Sequence, residues 1–286
     1  MTTSYSRFCY HFFGEYLKPL RKYFLDIRED LQLAGLNFTL DEYLSMAVFT
    51  SLLAFMVEDI LFSFIFGLFL PVPLAIVLGL LLAVSLSGTI FFLFYSYPLT
   101  LAKKRGEEID KVLPFAVSYM SAIASGKISP YYLFRTLAEF KEYGVVAKEC
   151  GNIARSIEMF GMNVTDAIKQ EAMRTPSKNF RELLWGINTM ILTGGNLRSY
   201  LQERADALMA EYRRRIRKYS QDLSLFTEIY LTLIITGSIF FTVLTSLMAT
   251  TGGLEIVMIQ AMIAFLFLPL VSTLFLILMK LRSPVK

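Results

Sequence analysis

Glu58 and Asp59 stand side by side in an otherwise apolar stretch that follows Thr39 and reaches about Leu70. Charge is costly in hydrocarbon, and carboxylates found there commonly serve a function. The pair is suited to hold an amine or a polar side chain of a partner. Two structural readings use the same residues. The span could end near Val57 and leave the pair at the outer interface, or the carboxyls could be protonated or answered by a Ser or Thr of another helix.

Ser125-Gly126-Lys127-Ile128-Ser129 has the look of a phosphate loop. That loop needs a glycine five residues before Gly126 and Ser or Thr after the lysine. Ser121 and Ile128 occupy those places, so no nucleotide chemistry is expected. His11 is the single histidine, and Cys9 and Cys150 are far apart. These give no zinc site and no disulfide framework. With no nucleophile–base pair in view, we expect no enzyme and no cofactor.

Cations form two runs. Lys103-Lys104-Arg105 follows an apolar stretch, the usual place of a stop-transfer anchor. Arg213, Arg214 and Arg215, with Arg217 and Lys218, are placed to meet lipid phosphates. Residues 103–222 carry 20 basic and 14 acidic side chains, a net +6. That charge suits an acidic partner or anionic lipid. It has a membrane explanation, so nucleic acid is not expected.

The elements that must position these residues are mostly apolar. Hydrophobic residues make up 55% of the 286 and charged ones 18%; residues 60–102 carry no charge, and 229–279 carry only Glu255. A soluble domain needs polar cover over such lengths. Four spans follow: 39–70, opened by a Thr39–Glu42 capping box; 74–97, after Pro71 and Pro73 and stopping at Pro98; 229–248; and 256–279, with a kink at Pro269. Thr250-Thr251-Gly252-Gly253 reads as the turn of the second hairpin. Of the 28 Lys and Arg, five precede the first span, 20 lie between Lys103 and Lys218, and three follow the fourth. The outer turns have none, so both termini and the middle segment are assigned to the cytoplasm. The aromatic N-terminal segment suits an interfacial amphipathic helix or one packed on the cytoplasmic domain. Asp26, Glu29 and Asp30 favour the second.

The middle segment repeats one turn. Glycines at 126, 161 and 195 follow apolar helices at intervals of 35 and 34 residues, with Asn163 and Asn196 nearby and Gly194 beside Gly195. A left-handed glycine ends one helix and Ser or Asn caps the next. Six helices are predicted over 107–124, 129–142, 145–160, 164–174, 177–192 and 197–219. The period is near that of tetratricopeptide repeats, but their signature is missing. The expected fold is all-α: a polytopic membrane protein with four transmembrane helices in two hairpins and a cytoplasmic six-helix bundle between them. Its parts are an N-terminal segment 1–38, a hairpin 39–102, a helical domain 103–228, and a hairpin with a short tail 229–286.

An ordered set of residues resembles the type II secretion system protein F domain family. It comprises Ala34-Gly35-Leu36 ahead of Thr39–Tyr43, Tyr97-Pro98, Lys103-Lys104-Arg105, the run from Glu108 and Asp110 to Pro114-Phe115, Tyr119-Met120-Ser121-Ala122, and the three glycine turns. The nearest look-alikes are platform proteins of archaeal type IV pili and archaella and of tight-adherence pili. The resemblance implies a non-enzymatic platform in the cytoplasmic membrane. Its helical domain would engage a hexameric secretion ATPase, and its membrane part would contact pilin-like subunits and lipid. Lys103, Lys104, Arg105, Glu107, Glu108, Asp110, Arg213, Arg214 and Arg215 are the candidate partner contacts. Glu58 and Asp59 are candidates for a pilin. Family members commonly carry two helical domains and this chain has one, so a homodimer or a heterodimer with a paralogous platform subunit is implied. A small transporter or channel is the alternative from another class. It has little polar lining to offer beyond Ser85, Ser87, Thr89, Ser272 and Thr273.

Overall fold

The computed structural model describes residues 4–17, 19, 22, 24–126, 128–252, 258, 261–262, 265–266 and 268–281, and no strand occurs among them. Two compact units divide between Ala205 and Asp206.

In the first unit, α1 (Ser4–Leu17) and α2 (Leu25–Ala34) precede α3 (Leu40–Gly67) and α4 (Val72–Ala124). The capping box forms as read: Thr39 Oγ1 accepts from Glu42 N at 3.3 Å, and Thr39 N donates to Glu42 Oε2 at 2.9 Å. Such a cap stabilises the helix start by about 1 kcal/mol. Helix α3 continues through Glu58 and Asp59 to Gly67. Pro71 and Pro73 start α4, where proline's missing N–H is harmless.

Pro98 does not end the helix. Helix α4 runs 53 residues with Pro98 and Pro114 inside it, a rod about 80 Å long. Pro98 takes the donor from the Phe94 carbonyl, and Tyr43 Oη supplies one at 2.8 Å. Pro114 therefore lies deep in a helix rather than near the start of one. Gly79 lets α3 and α4 approach closely: a Cβ there would come 2.9 Å from the backbone nitrogen of Ser63.

Helix α1 packs on this hairpin, while α2 lies against both the hairpin and the start of the helical domain, where the Leu33 carbonyl accepts from Arg105 Nη1. Phe8 and Phe13 of α1 meet Phe49 edge-on, and Tyr5 bonds Thr50 at 2.8 Å. Phe24, preceding α2, meets Phe91 and Tyr95. Cys9, Ile27, Leu31, Tyr43 and Leu44 form the buried cluster between them.

The charged half of α4 opens the helical domain. There follow α5 (Pro130–Glu139), a 3-10 turn (Lys141–Tyr143), α6 (Gly144–Phe160), α7 (Val164–Arg174), α8 (Lys178–Thr193) and α9 (Leu197–Ile229). Ile109, Leu113, Val117 and Met120 of α4 bury one stripe, at the three-to-four-residue spacing of an amphipathic helix. Phe134, Leu137, Ile153, Ile168, Phe180 and Leu184 complete the core. Gly161 and Gly194 end their helices at φ 61° and 67°, as such turns require. Gly126 is not left-handed, and in the third turn Gly194 takes the conformation expected of Gly195. Asn196 Oδ1 caps Ser199 N at 3.1 Å, while Asn163 stands at the N-cap with no side-chain bond.

The second unit contains the later part of α9, a π-helical segment (Tyr230–Thr236), α10 (Gly237–Gly252) and α11 (Leu268–Leu281). Tyr230 stacks near Phe275, with ring centroids 4.9 Å apart, and its hydroxyl is 3.3 Å from Ser272 Oγ. Among the described residues, three helices are long and apolar enough to cross a membrane: Leu40–Gly67, Val72–Ala124 and Leu197–Met248. Helix α10 continues to Gly252, through most of the expected turn. Gly253, much of the expected fourth span before Leu268, the tail from Arg282, and Lys127 lie outside the described residues.

Candidate functional site

Where α4 leaves its apolar half, the run Lys103-Lys104-Arg105 splits. Successive residues of a helix turn by about 100°. Lys103, Lys104, Glu107 and Glu108 are exposed, while Arg105 and Asp110 flank the buried stripe of Ala102, Gly106 and Ile109. Arg105 is held inside the protein. Its Nη1 donates to the Leu33 carbonyl of α2 at 3.2 Å, and its Nη2 pairs with Glu149 of α6. Gly35, at φ 72°, ends α2 beneath it. A side chain on Gly35 would occupy the space of the Arg105 guanidinium. Asp110 Oδ1 accepts from Ser177 Oγ at 2.5 Å and from Asn179 Nδ2 at 3.3 Å. Ser177 also caps α8 through Phe180 N at 3.0 Å. The helix that continues the membrane span is thereby tied to α2, α6 and α8.

Glu149 is fully buried. Burial and the neighbouring Glu171 carboxyl push its pKa up to about 8, and Arg105, pulling the other way, does not prevail. Its Oε2 meets no donor, as expected where two carboxylates face each other. A proton on Glu149 gives that oxygen a partner in Glu171. Glu171 also accepts from Asn152 Nδ2 at 3.2 Å. Neither glutamate was among the sequence candidates. The signal was present in α6, where Glu149 falls on the face of Val146, Cys150 and Ile153, all buried. A carboxylate on an apolar stripe needs an internal partner.

Beside this cluster a groove of about 350 Å³ brings together Asp30, Lys103, Glu107, Asp110 and Lys178. Three of the predicted partner contacts thus share one concave surface. Arg213, Arg214 and Arg215 lie exposed on the part of α9 that belongs to the second unit, with Arg215 paired to Glu211. Glu58 and Asp59 sit together in α3 near Ser63. Glu58 Oε2, Asp59 Oδ1 and Ser63 Oγ are buried without hydrogen-bond partners. No group of three or more His, Cys, Asp or Glu that could hold a metal occurs among the described residues.

Residues 116–245 match the family Type II secretion system (T2SS), protein F. The resemblance read from the sequence holds. An uncharacterized protein of Methanocaldococcus jannaschii is 25% identical over 134 residues, 47% of this chain and 22% of that protein. Flagella accessory protein J of the same organism is 23% identical over 185 residues, 64% of this chain and 31% of its own length. The matches therefore span less than a third of each of these relatives. No solved structure matches. The protein F match begins inside α4 and ends inside α10.

Proposed function

We propose that this chain is a cytoplasmic-membrane platform of a type IV pilus-like machine, in the range of archaeal pilus, archaellum, tight-adherence pilus or type II secretion systems. The protein F match and the likeness to Flagella accessory protein J support the class of machine. The observation that carries the mechanical part is the continuity of α4: one helix holds an apolar span at one end and the core stripe of the helical domain at the other. A force on the domain is then transmitted along a rod rather than through a loop.

In this reading four spans form two hairpins, both termini and residues 103–228 face the cytoplasm, and the chain performs no reaction of its own. A hexameric secretion ATPase supplies the energy and meets the groove of Lys103, Glu107 and Asp110. Pilin-like subunits run against the membrane hairpins, where Glu58 and Asp59 offer buried acceptors without donors. A second copy, or a paralogous platform subunit, provides the second helical domain.

The test is binding of the full-length protein in lipid nanodiscs to the secretion ATPase of its own organism, measured by co-sedimentation. Binding is expected, and weakening by Lys103→Glu with Lys104→Glu, both exposed. An ATPase that ignores the native protein would rule the coupling out.

A further inference from the structure

The ends of α2, α6 and α7 and the Arg105 turn of α4 enclose a cavity of about 540 Å³, within the size range of small-ligand pockets. Three arginines, Arg105, Arg155 and Arg174, line it, and Glu171 is the single acidic residue of the wall. Arg105 is engaged by Glu149 and the Leu33 carbonyl. Arg155 and Arg174 are exposed and have no hydrogen-bond or ion-pair partner among the described residues. Glu171 does not neutralise them, since it is turned to Asn152 and Glu149. Like charges around one cavity repel unless an anion lies between them. Guanidinium forks fit phosphate oxygens in pairs, and two free forks match the two charges of a phosphate. Phe160, 74% exposed, adds an apolar face to the same wall.

The cavity lies level with the ends of both apolar helices. Arg105 is three residues beyond Ala102, where the charge-free stretch ends, and Asn37 of the cavity wall is two residues before the Thr39 cap of α3. In the membrane reading proposed above, headgroup phosphates lie at that depth, and the cavity also opens to solvent.

We propose that this cavity binds a phosphate-bearing ligand, a lipid headgroup or a free phosphorylated compound, through Arg155 and Arg174 with Arg105 behind them. The inference is independent of the ATPase and pilin assignments.

Two probes separate the sources. Full-length protein is placed in nanodiscs of phosphatidylcholine alone, or with about a fifth phosphatidylglycerol, and retained phosphatidylglycerol is counted by native mass spectrometry. Pyrophosphate is titrated into the phosphatidylcholine sample and the thermal midpoint followed. At least one probe is expected to bind. Affinity should fall about tenfold or more in Arg155→Gln/Arg174→Gln, as two charge-assisted bonds are lost. It should fall less in Arg155→Lys/Arg174→Lys, which keeps charge but loses the fork. Lys141→Gln/Arg198→Gln, two exposed cations outside the cavity wall, should bind as the native protein does. Retention of phosphatidylglycerol alone identifies the headgroup, and a pyrophosphate response alone identifies a free compound. Silence with both probes overturns the proposal. So does a response that survives Arg155→Gln/Arg174→Gln or falls equally in the Lys141/Arg198 variant.

Discussion

The hydroxyl of Tyr43 donates to the carbonyl of Phe94 at 2.8 Å, the carbonyl that Pro98 leaves without its helical donor. A proline inside a helix is tolerated when another group meets the acceptor it orphans. Here the first helix of a hairpin repairs the second. The result is a helix that passes from the apolar hairpin into the helical domain without a joint.

Tyr43→Phe should therefore destabilise the protein by roughly 1–2 kcal/mol, the cost of an unsatisfied buried carbonyl. Pro98→Ala returns an N–H to Phe94, so the cost of Tyr43→Phe should shrink in that background. Thermal unfolding of the four proteins in detergent measures the coupling. Additive effects would mean that the bond does not compensate for Pro98.

Gly35→Ala should harm the fold more than Gly161→Ala or Gly194→Ala. All three glycines are left-handed, but only at Gly35 does a Cβ meet another group, the Arg105 guanidinium. We expect about 1 kcal/mol at Gly161 and Gly194 from backbone strain, and clearly more at Gly35. Equal losses in midpoint at the three sites would contradict the close packing of Arg105 on the α2 turn.

Stability should depend on pH through Glu149, which faces Arg105 and Glu171. Its folded pKa is raised from 4.5 to about 8. Across that window the folded protein keeps a proton that the unfolded chain releases. Stability is then greatest below about 4.5, falls as pH rises through the window, and levels off above about 8. The loss specific to Glu149 is on the order of a few kcal/mol. Subtracting the profile of Glu149→Gln from that of the native protein isolates it. A flat difference would mean that Glu149 titrates normally.

Gly186→Ala tests the packing of α8 on α9. A Cβ there would overlap the Tyr200 ring, whose hydroxyl reaches the Glu182 and Leu183 carbonyls. Overpacking of this kind typically costs about 1–3 kcal/mol. Tyr200→Ala should relieve the clash, so the double variant should lose less than the sum of the two single losses.

What could be read in the sequence was local. The Thr39–Glu42 cap, the bounds of Val164–Arg174 and the left-handed Gly161 follow from short-range chemistry. Pro98 was read as a stop because its remedy, Tyr43, lies 55 residues earlier in the chain. Arg105 was grouped with Lys103 and Lys104 as a linear run, although the helix turns it inward to Glu149. Gly194 and Gly195 both suit a left-handed turn by residue type, and the structure gives that conformation to Gly194. The carboxyl pair of Glu149 and Glu171 joins two helices, and no spacing within either one reports it.

The most direct measurement is the sidedness of α4 and its turn. Cys9 and Cys150 are buried, so an introduced cysteine can be read with a membrane-impermeant maleimide. Phe69→Cys lies in the turn between α3 and α4, where Phe69 is 82% exposed, and Glu108→Cys lies beyond the apolar half of α4. We expect Phe69→Cys to label in intact cells and Glu108→Cys only after the membrane is opened. Labelling of Glu108→Cys in intact cells, or of both sites from the same side, would contradict a span that enters the cytoplasm as one helix.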